Sequence, residues 1–243
     1  MPLLIQGDAR RIPLKDESVD IIFTSPPYNV KLPYEDYDDN LPEDEFRDLM
    51  RNFLSEAYRV CAESSRMYCV LGDKIIWWFK PMAEAIGFHY VQKLTWCKPN
   101  LAGGSGKISG DWNYMSEDIL LFRKGKRRPM LNSSDSGTFN WFIETIPQTN
   151  FRTGKIHIAQ FPYRLCKRIL ARTPGAVVLD PFCGSGQVLR AARVLGRQGI
   201  GIEIGKKTIR KAHNFVMNHR IKQDDTQSGF AELFTITERS SNE

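Results

Sequence analysis

What the chain lacks narrows its chemistry first. Its 243 residues contain no apolar run approaching the length of a membrane span, and Met1 to Arg10 reaches the charged Asp8-Ala9-Arg10-Arg11 too soon for a signal peptide. No membrane partner is expected, and the chain reads as cytoplasmic. Cysteine is sparse: Cys61, Cys69, Cys97, Cys166 and Cys183 form no Cys-x-x-Cys pair, and an odd count spread one per segment argues for reduced thiols. Four scattered histidines, at positions 89, 157, 213 and 219, add no metal-ligand spacing, so no metal site is expected. Two nucleotide signatures are also missing. Neither Gly-x-Gly-x-x-Gly nor Gly-Lys-Ser/Thr occurs, which weakens NAD and ATP as ligands.

What is present describes an ordinary globular chain with 42% hydrophobic and 26% charged residues, long enough for one α/β domain carrying a small insertion. The net charge of +6 allows a polyanionic partner without requiring one. Its distribution is uneven, because Glu35, Asp36, Asp38, Asp39, Glu43, Asp44, Glu45 and Asp48 gather eight acids into one stretch. The remainder is correspondingly more basic. Arg123, Lys124, Lys126, Arg127 and Arg128 place five cations within six residues, the pattern of a phosphate contact or of a solvated hairpin tip. Lys31, Lys98 and Lys107 are further candidates for nucleic-acid contact.

The stretch that organises the chain is Val19 to Asn29. Val19 to Phe23 reads as a strand buried on both faces, and Ser25-Pro26-Pro27-Tyr28 ends it in a turn that two prolines stiffen. The turn presents the Ser25 hydroxyl, the Pro26 carbonyl and the Tyr28 ring. Two fixed acceptors suit an exocyclic amine of a nucleobase, whose lone pair is delocalised until its hydrogens are held. Tyr28 would stack on a base that has left the duplex. Upstream, residues 2–6 read as a strand ending at Gly7-Asp8, and adjacent parallel strands would bring Asp8 and Ser25 to one sheet edge.

Periodicity supplies the rest. Pro42 and three following acids open a helix reaching Cys61; residues 66–71 form a buried strand; and residues 74–86 form a second helix, with Trp77, Trp78 and Phe79 assigned to packing. Residues 88–97 and 117–122 read as strands, Leu101 to Gly110 as a glycine-rich loop, and residues 129–156 as an irregular insertion without assignable secondary structure. Pro162 can begin the helix marked by Leu165, Cys166, Ile169 and Leu170.

A second landmark follows. Residues 176–180 form a strand ending in Asp180; Pro181 to Gly186 is a glycine-rich turn; a helix begins near Gln187; and residues 199–204 form the next strand. Gly184 and Gly186 let the backbone approach a ligand. Glu203, 23 residues after Asp180, holds the position of an acid that accepts hydrogen bonds from ribose hydroxyls. Cys183 lies inside this turn and reads as a small buried residue. A ribose acid with a second carboxylate for a cationic amino-acid end suits S-adenosylmethionine.

Over most of residues 3–220 the chain resembles the β class of DNA amino-methyltransferases, in which the catalytic turn precedes the cofactor turn. The resemblance implies a Rossmann-like methyltransferase fold, mostly parallel, with helices on both faces. It implies a catalytic part at residues 1–99, a target-recognition insertion at 100–152, a cofactor part at 153–220 and a tail at 221–243. Thr24 to Asn29 resembles the catalytic motif and implies Ser25, Pro26, Pro27 and Tyr28 as catalytic. S-adenosylmethionine is implied at Asp8, Thr24, Phe161, Asp180, Phe182, Gly184, Ser185, Gly186 and Glu203, with Ile158 to Leu170 resembling the helix that closes over the methionine end. Within this family Ser at the motif's first position implies N4 of cytosine, and Asp there N6 of adenine; Ser25 favours cytosine. Attack at carbon 5 needs a cysteine nucleophile, in the related family placed after a proline, and no cysteine here follows one. An RNA methyltransferase or an inactive nucleic-acid-binding module on this fold remain alternatives. DNA is the implied partner, with a homodimer and a cognate restriction endonuclease as further partners to look for.

Overall fold

The computed structural model describes residues 1–34, 36–99, 115–127, 130–132, 139–146 and 162–218. Eight strands among these form one sheet: β1 (Leu3–Gln6), β2 (Val19–Thr24), β3 (Cys61–Leu71), β4 (His89–Cys97), β5 (Ser116–Arg123), β6 (Trp141–Ile143), β7 (Val177–Asp180) and β8 (Gln198–Glu203). Their spatial order is β1-β8-β7-β2-β3-β5-β4-β6. The first five in that order run parallel, β5 runs antiparallel to both β3 and β4, and β6 lies parallel to β4. The expected α/β architecture is present.

Both faces of the sheet are covered, and β2 shows why its residues are almost all apolar. Ile22 joins one core with Phe46, Met50, Phe53 and Phe79, from α1 (Glu43–Val60) and α2 (Asp73–Ile86). Ile21 and Phe23 point the other way, joining Leu165 and Ile169 of α3 (Tyr163–Arg172), Val188 and Leu189 of α4 (Gln187–Val194) and Val216 of α5 (Lys206–Asn218). A two-residue period inside a doubly covered sheet leaves no face for polar residues. Asp20 is the exception because it ends on backbone: its Oδ2 accepts from the N–H of Ala176 at 2.7 Å and of Val177 at 2.9 Å.

Several expectations are corrected. β1 and β2 are not neighbours, since β8 and β7 lie between them, although all four run parallel and therefore share one carboxyl edge. β3 starts five residues earlier than expected, at Cys61, and its register against β2 shifts between Val19 and Ile21. Ser64, at φ 71°, marks the irregularity. Trp77 is 79% exposed, so it does not pack, whereas Phe79 is fully buried and Trp78 packs edge-on against Phe46. Outside these corrections, the strand expected at residues 117–122 is present as β5, and β6 joins the same sheet. No helix among the described residues is long and apolar enough to cross a membrane.

Candidate active site

Four parallel strands deliver their loops to one edge, where a pocket of about 270 Å³ opens. Gly7, Asp8 and Arg10 come from the end of β1, Ser25 and Pro27 from β2, Phe182 and Gly184 from β7, and Glu203 to Gly205 from β8. Tyr34, Asp36 and Tyr37 enter from the loop before α1, and Thr208 and Lys211 from α5. Convergence of loops at the carboxyl ends of strands is where open α/β sheets bind ligands.

The two landmarks meet here through a buried contact. Thr24 Oγ1 donates to Asp180 Oδ1 at 2.8 Å across 156 residues of sequence, and Phe182 N–H adds a second donor to the same oxygen at 3.2 Å. Thr24 is 0% and Asp180 3% exposed, and neither reaches the pocket wall. Their bond ties the catalytic turn to the glycine turn. Ser185 and Gly186 are buried beside them and also stand off the wall. Gly186 begins α4 at φ 78°, where a Cβ would come within 2.6 Å of Val216.

Asp8, Phe182, Gly184 and Glu203 line the pocket. Glu203 accepts from Gly184 N–H at 3.0 Å through one oxygen and from Gly205 N–H at 2.9 Å through the other. Burial raises its pKa against the lowering effect of these bonds. Asp8 is held by Arg10 in a bidentate pair, with Nη2 to Oδ2 at 2.6 Å. Asp36 adds a third carboxylate, and Tyr34, Tyr37 and Phe182 add aromatic surface. Ribose acceptors, ring faces and an excess of carboxylate over cation make a set that fits S-adenosylmethionine, a nucleoside with a cationic sulfonium. Sequence reasoning passed over Arg10, Tyr34, Asp36 and Tyr37; the dense Tyr and Asp content of that loop was the available signal.

Asp180 gives the site a pH signature. Burial pushes its carboxyl up to about 7, against lowering contributions from Thr24 and Phe182. A folded-state pKa above the unfolded value means that the folded chain holds a proton the unfolded chain has lost. Stability is then greatest below the ordinary value of 3.8 and declines as pH rises to about 7, by up to about 1.4 kcal/mol per pH unit. Asp180→Asn should flatten this part of a Tm-against-pH curve relative to the unaltered chain. Parallel curves for the two proteins would show that Asp180 does not titrate in this window.

On the catalytic turn, Ser25 is half-buried, Pro26 buried, and Pro27 forms wall. Tyr28 does not reach the wall: a Cβ at Gly72 would come within 3.3 Å of its ring, and its hydroxyl meets Ser25 Oγ at 3.1 Å. Burial first, and then Glu117, raise the Tyr28 pKa well above its ordinary value, so the phenol stays protonated. Cys183 is buried and its thiol pKa is raised by that burial, in line with a packing role.

The cations fare differently from expectation. Lys31 is exposed, near the pocket loop. Lys124 is 8% exposed, with Nζ donating to Cys61 O at 2.8 Å and lying over the Tyr58 ring, so it is structural. Arg123 donates Nε to Gly125 O at 2.9 Å, while Lys126 and Arg127 are exposed. Arg123 pairs with Arg66, whereas Asp118 pairs with Leu71. Because β5 runs antiparallel, Arg123 and the residues that follow it lie at the sheet edge opposite the pocket. Lys98 is 7% exposed and paired with Glu117. Phe161, Lys107 and Arg128 lie outside the described residues.

Comparisons with known proteins agree with this geometry. The family model described as DNA methylase, covering N6 and N4 methyltransferases, matches residues 19–214. The type II methyltransferase M.HpaI of Haemophilus parainfluenzae is 30% identical over 226 residues, spanning 82% of this chain and 68% of that protein. The DNA adenine methyltransferase YhdJ of Escherichia coli strain K12 is 26% identical over 240 residues, 85% of this chain and 80% of its own. Among solved structures, PvuII DNA methyltransferase (cytosine-N4-specific) superposes with a TM-score of 0.74 at 16% identity, covering 93% of this chain and 89% of that one. The M1.HpyAVI-SAM complex gives 0.72 at 22% identity, covering 90% and 100%. With a family match over more than half its length, the chain belongs to the DNA methylase family of N6 and N4 amino-methyltransferases.

Proposed function

We propose that the protein methylates N4 of cytosine in a short DNA sequence, acting on a base flipped out of the duplex. The observation that carries this reading is the shared pocket wall, in which Ser25 and Pro27 of the catalytic turn face Gly184 and Glu203 of the cofactor turn. Glu203 would hold the ribose, Tyr34 and Phe182 would flank the adenine ring, and Asp8 would lie beside it. S-adenosylmethionine supplies the electrophilic methyl group when bound. Ser25 Oγ and the Pro26 carbonyl accept from the two hydrogens of the target amine, and this concentrates its lone pair on nitrogen. Tyr28 offers the extruded base a ring face. The prolines keep both acceptors in place before the base arrives, so little reorganisation remains for the transition state.

Cytosine is favoured by the resemblance, since Ser at the first position of the motif, here Ser25, is typical of family members acting on cytosine N4. Adenine N6 is the alternative, supported by the likeness to an adenine methyltransferase. Nucleoside mass spectrometry after incubation with S-adenosylmethionine and duplex DNA, single-stranded DNA or RNA decides among these. N4-methylcytosine in duplex DNA is expected. N6-methyladenine would move the target to the purine, and label in RNA alone would overturn the DNA reading. A homodimer and a companion endonuclease belong to the same proposal, and sedimentation and copurification are their tests.

A further inference from the structure

An acid that neither the catalytic turn nor the cofactor turn supplies stands behind Tyr28, off the pocket wall. Glu117 stands at the start of β5, opposite Trp96, and β4 ends alongside, where Lys98 N–H donates to Met115 O at 2.8 Å. Lys98 Nζ donates to Glu117 Oε1 and lies 4.7 Å from the centre of the Trp96 ring. The other oxygen, Oε2, is 3.4 Å from Tyr28 Oη, and Tyr28 Oη is 3.1 Å from Ser25 Oγ. Four side chains from three segments therefore form one row, ending at the pocket wall on Ser25.

We propose that Glu117 and Lys98 are positioning residues that, through Tyr28, fix Ser25 as a hydrogen-bond acceptor toward the target amine. The proposal rests on the reading of Ser25 given above. The row has only one consistent polarity. A carboxylate carries no hydrogen, so the phenol hydrogen of Tyr28 points to Glu117. The phenol oxygen then has only lone pairs left for Ser25, and Ser25 must spend its hydrogen on Tyr28. Its other neighbour, the Val70 carbonyl at 3.4 Å, also takes only a hydrogen. Both contacts leave the Ser25 lone pairs to the pocket. A serine free to rotate would present its hydrogen to the amine as readily as its lone pairs, and every such orientation is unproductive. Lys98 supplies the counter-charge that lets a carboxylate stand in this half-buried place.

Glu117→Gln reverses the row instead of only cutting it. Lys98 claims the amide oxygen, the amide N–H₂ turns toward Tyr28, and the phenol hydrogen is released toward Ser25. The test is a double-mutant cycle on kcat for DNA methylation, with Glu117→Gln measured in the unaltered chain and in Tyr28→Phe, which keeps a ring but removes the relay. In the unaltered chain the substitution should lower kcat about tenfold, with S-adenosylmethionine affinity and KM for DNA little changed. In Tyr28→Phe it should change kcat by less than about twofold, because no path to Ser25 remains. An equal loss in both backgrounds would overturn the relay while leaving the Ser25 reading standing. Failure of the unaltered chain to methylate DNA would overturn both. If Glu117→Gln does not fold, the apolar pair Lys98→Met with Glu117→Leu removes the acceptor without stranding a buried cation, and it is read against Tyr28→Phe in the same way.

Discussion

Ser25→Ala lowers kcat by about two to three orders of magnitude while leaving the dissociation constant of S-adenosylmethionine within about threefold of the unaltered chain. The magnitude is that of removing one preorganised electrostatic partner from a charge that develops in the transition state. The asymmetry follows from placement. Ser25 lines the pocket with one small hydroxyl, whereas the proposed ribose and ring contacts fall to Glu203, Tyr34 and Phe182, which line it as well. Ser25 is half-buried and its two hydrogen bonds are long, at 3.1 and 3.4 Å, so the fold should lose little with it. Rapid-quench turnover at saturating cofactor, set beside calorimetric titration of the cofactor alone, separates the two quantities. Equal loss in both would place Ser25 in donor binding and remove it from chemistry.

Glu203→Ala has the converse effect, weakening S-adenosylmethionine by about one to two orders of magnitude, with kcat largely recovered at saturation. The carboxylate does two things at once. It faces the pocket, and it accepts from the N–H groups of Gly184 and Gly205. Removing it releases the loops after β7 and β8 together with the proposed ribose contact. Glu203→Gln keeps one acceptor and should fall between the two proteins in a calorimetric titration. Cofactor affinity unchanged in Glu203→Ala would exclude the carboxylate from the donor site.

The two landmarks were readable because each joins an apolar strand to residues that only a turn tolerates. Pro26-Pro27 and Gly184-x-Gly186 both end strands of the sheet, and Glu203 closes β8. Less legible was which charge ends where. Lys98, Lys124 and Arg123 look alike in sequence, yet Lys98 is buried on Glu117, Lys124 on the Cys61 carbonyl, and Arg123 turns onto Gly125. Nothing local marks a lysine whose partner lies 63 residues away, as Cys61 does for Lys124. The direction of β5 was equally hidden. A strand following β4 in sequence could run either way, and its antiparallel course brings Glu117 to Tyr28 and the basic cluster to the far edge.

Chain order likewise misplaced β1. Its partner is β8, nearly two hundred residues on, with Leu3 opposite Ile200, and only the shared parallel direction returns Asp8 to the same rim as Ser25. The Thr24–Asp180 bond could not be read for a related reason. Both residues fit a ligand-contact role by type, and only burial shows that they face each other instead of the pocket.

The most direct test is a crystal structure with a non-transferring S-adenosylmethionine analogue and a duplex carrying the target base. The donor is expected between Glu203 and the catalytic turn, its methyl position facing an extruded cytosine whose amine lies within hydrogen-bonding distance of Ser25 Oγ and the Pro26 carbonyl. A donor seated elsewhere, or an extruded base that reaches the site with its amine turned away from Ser25, would contradict the account.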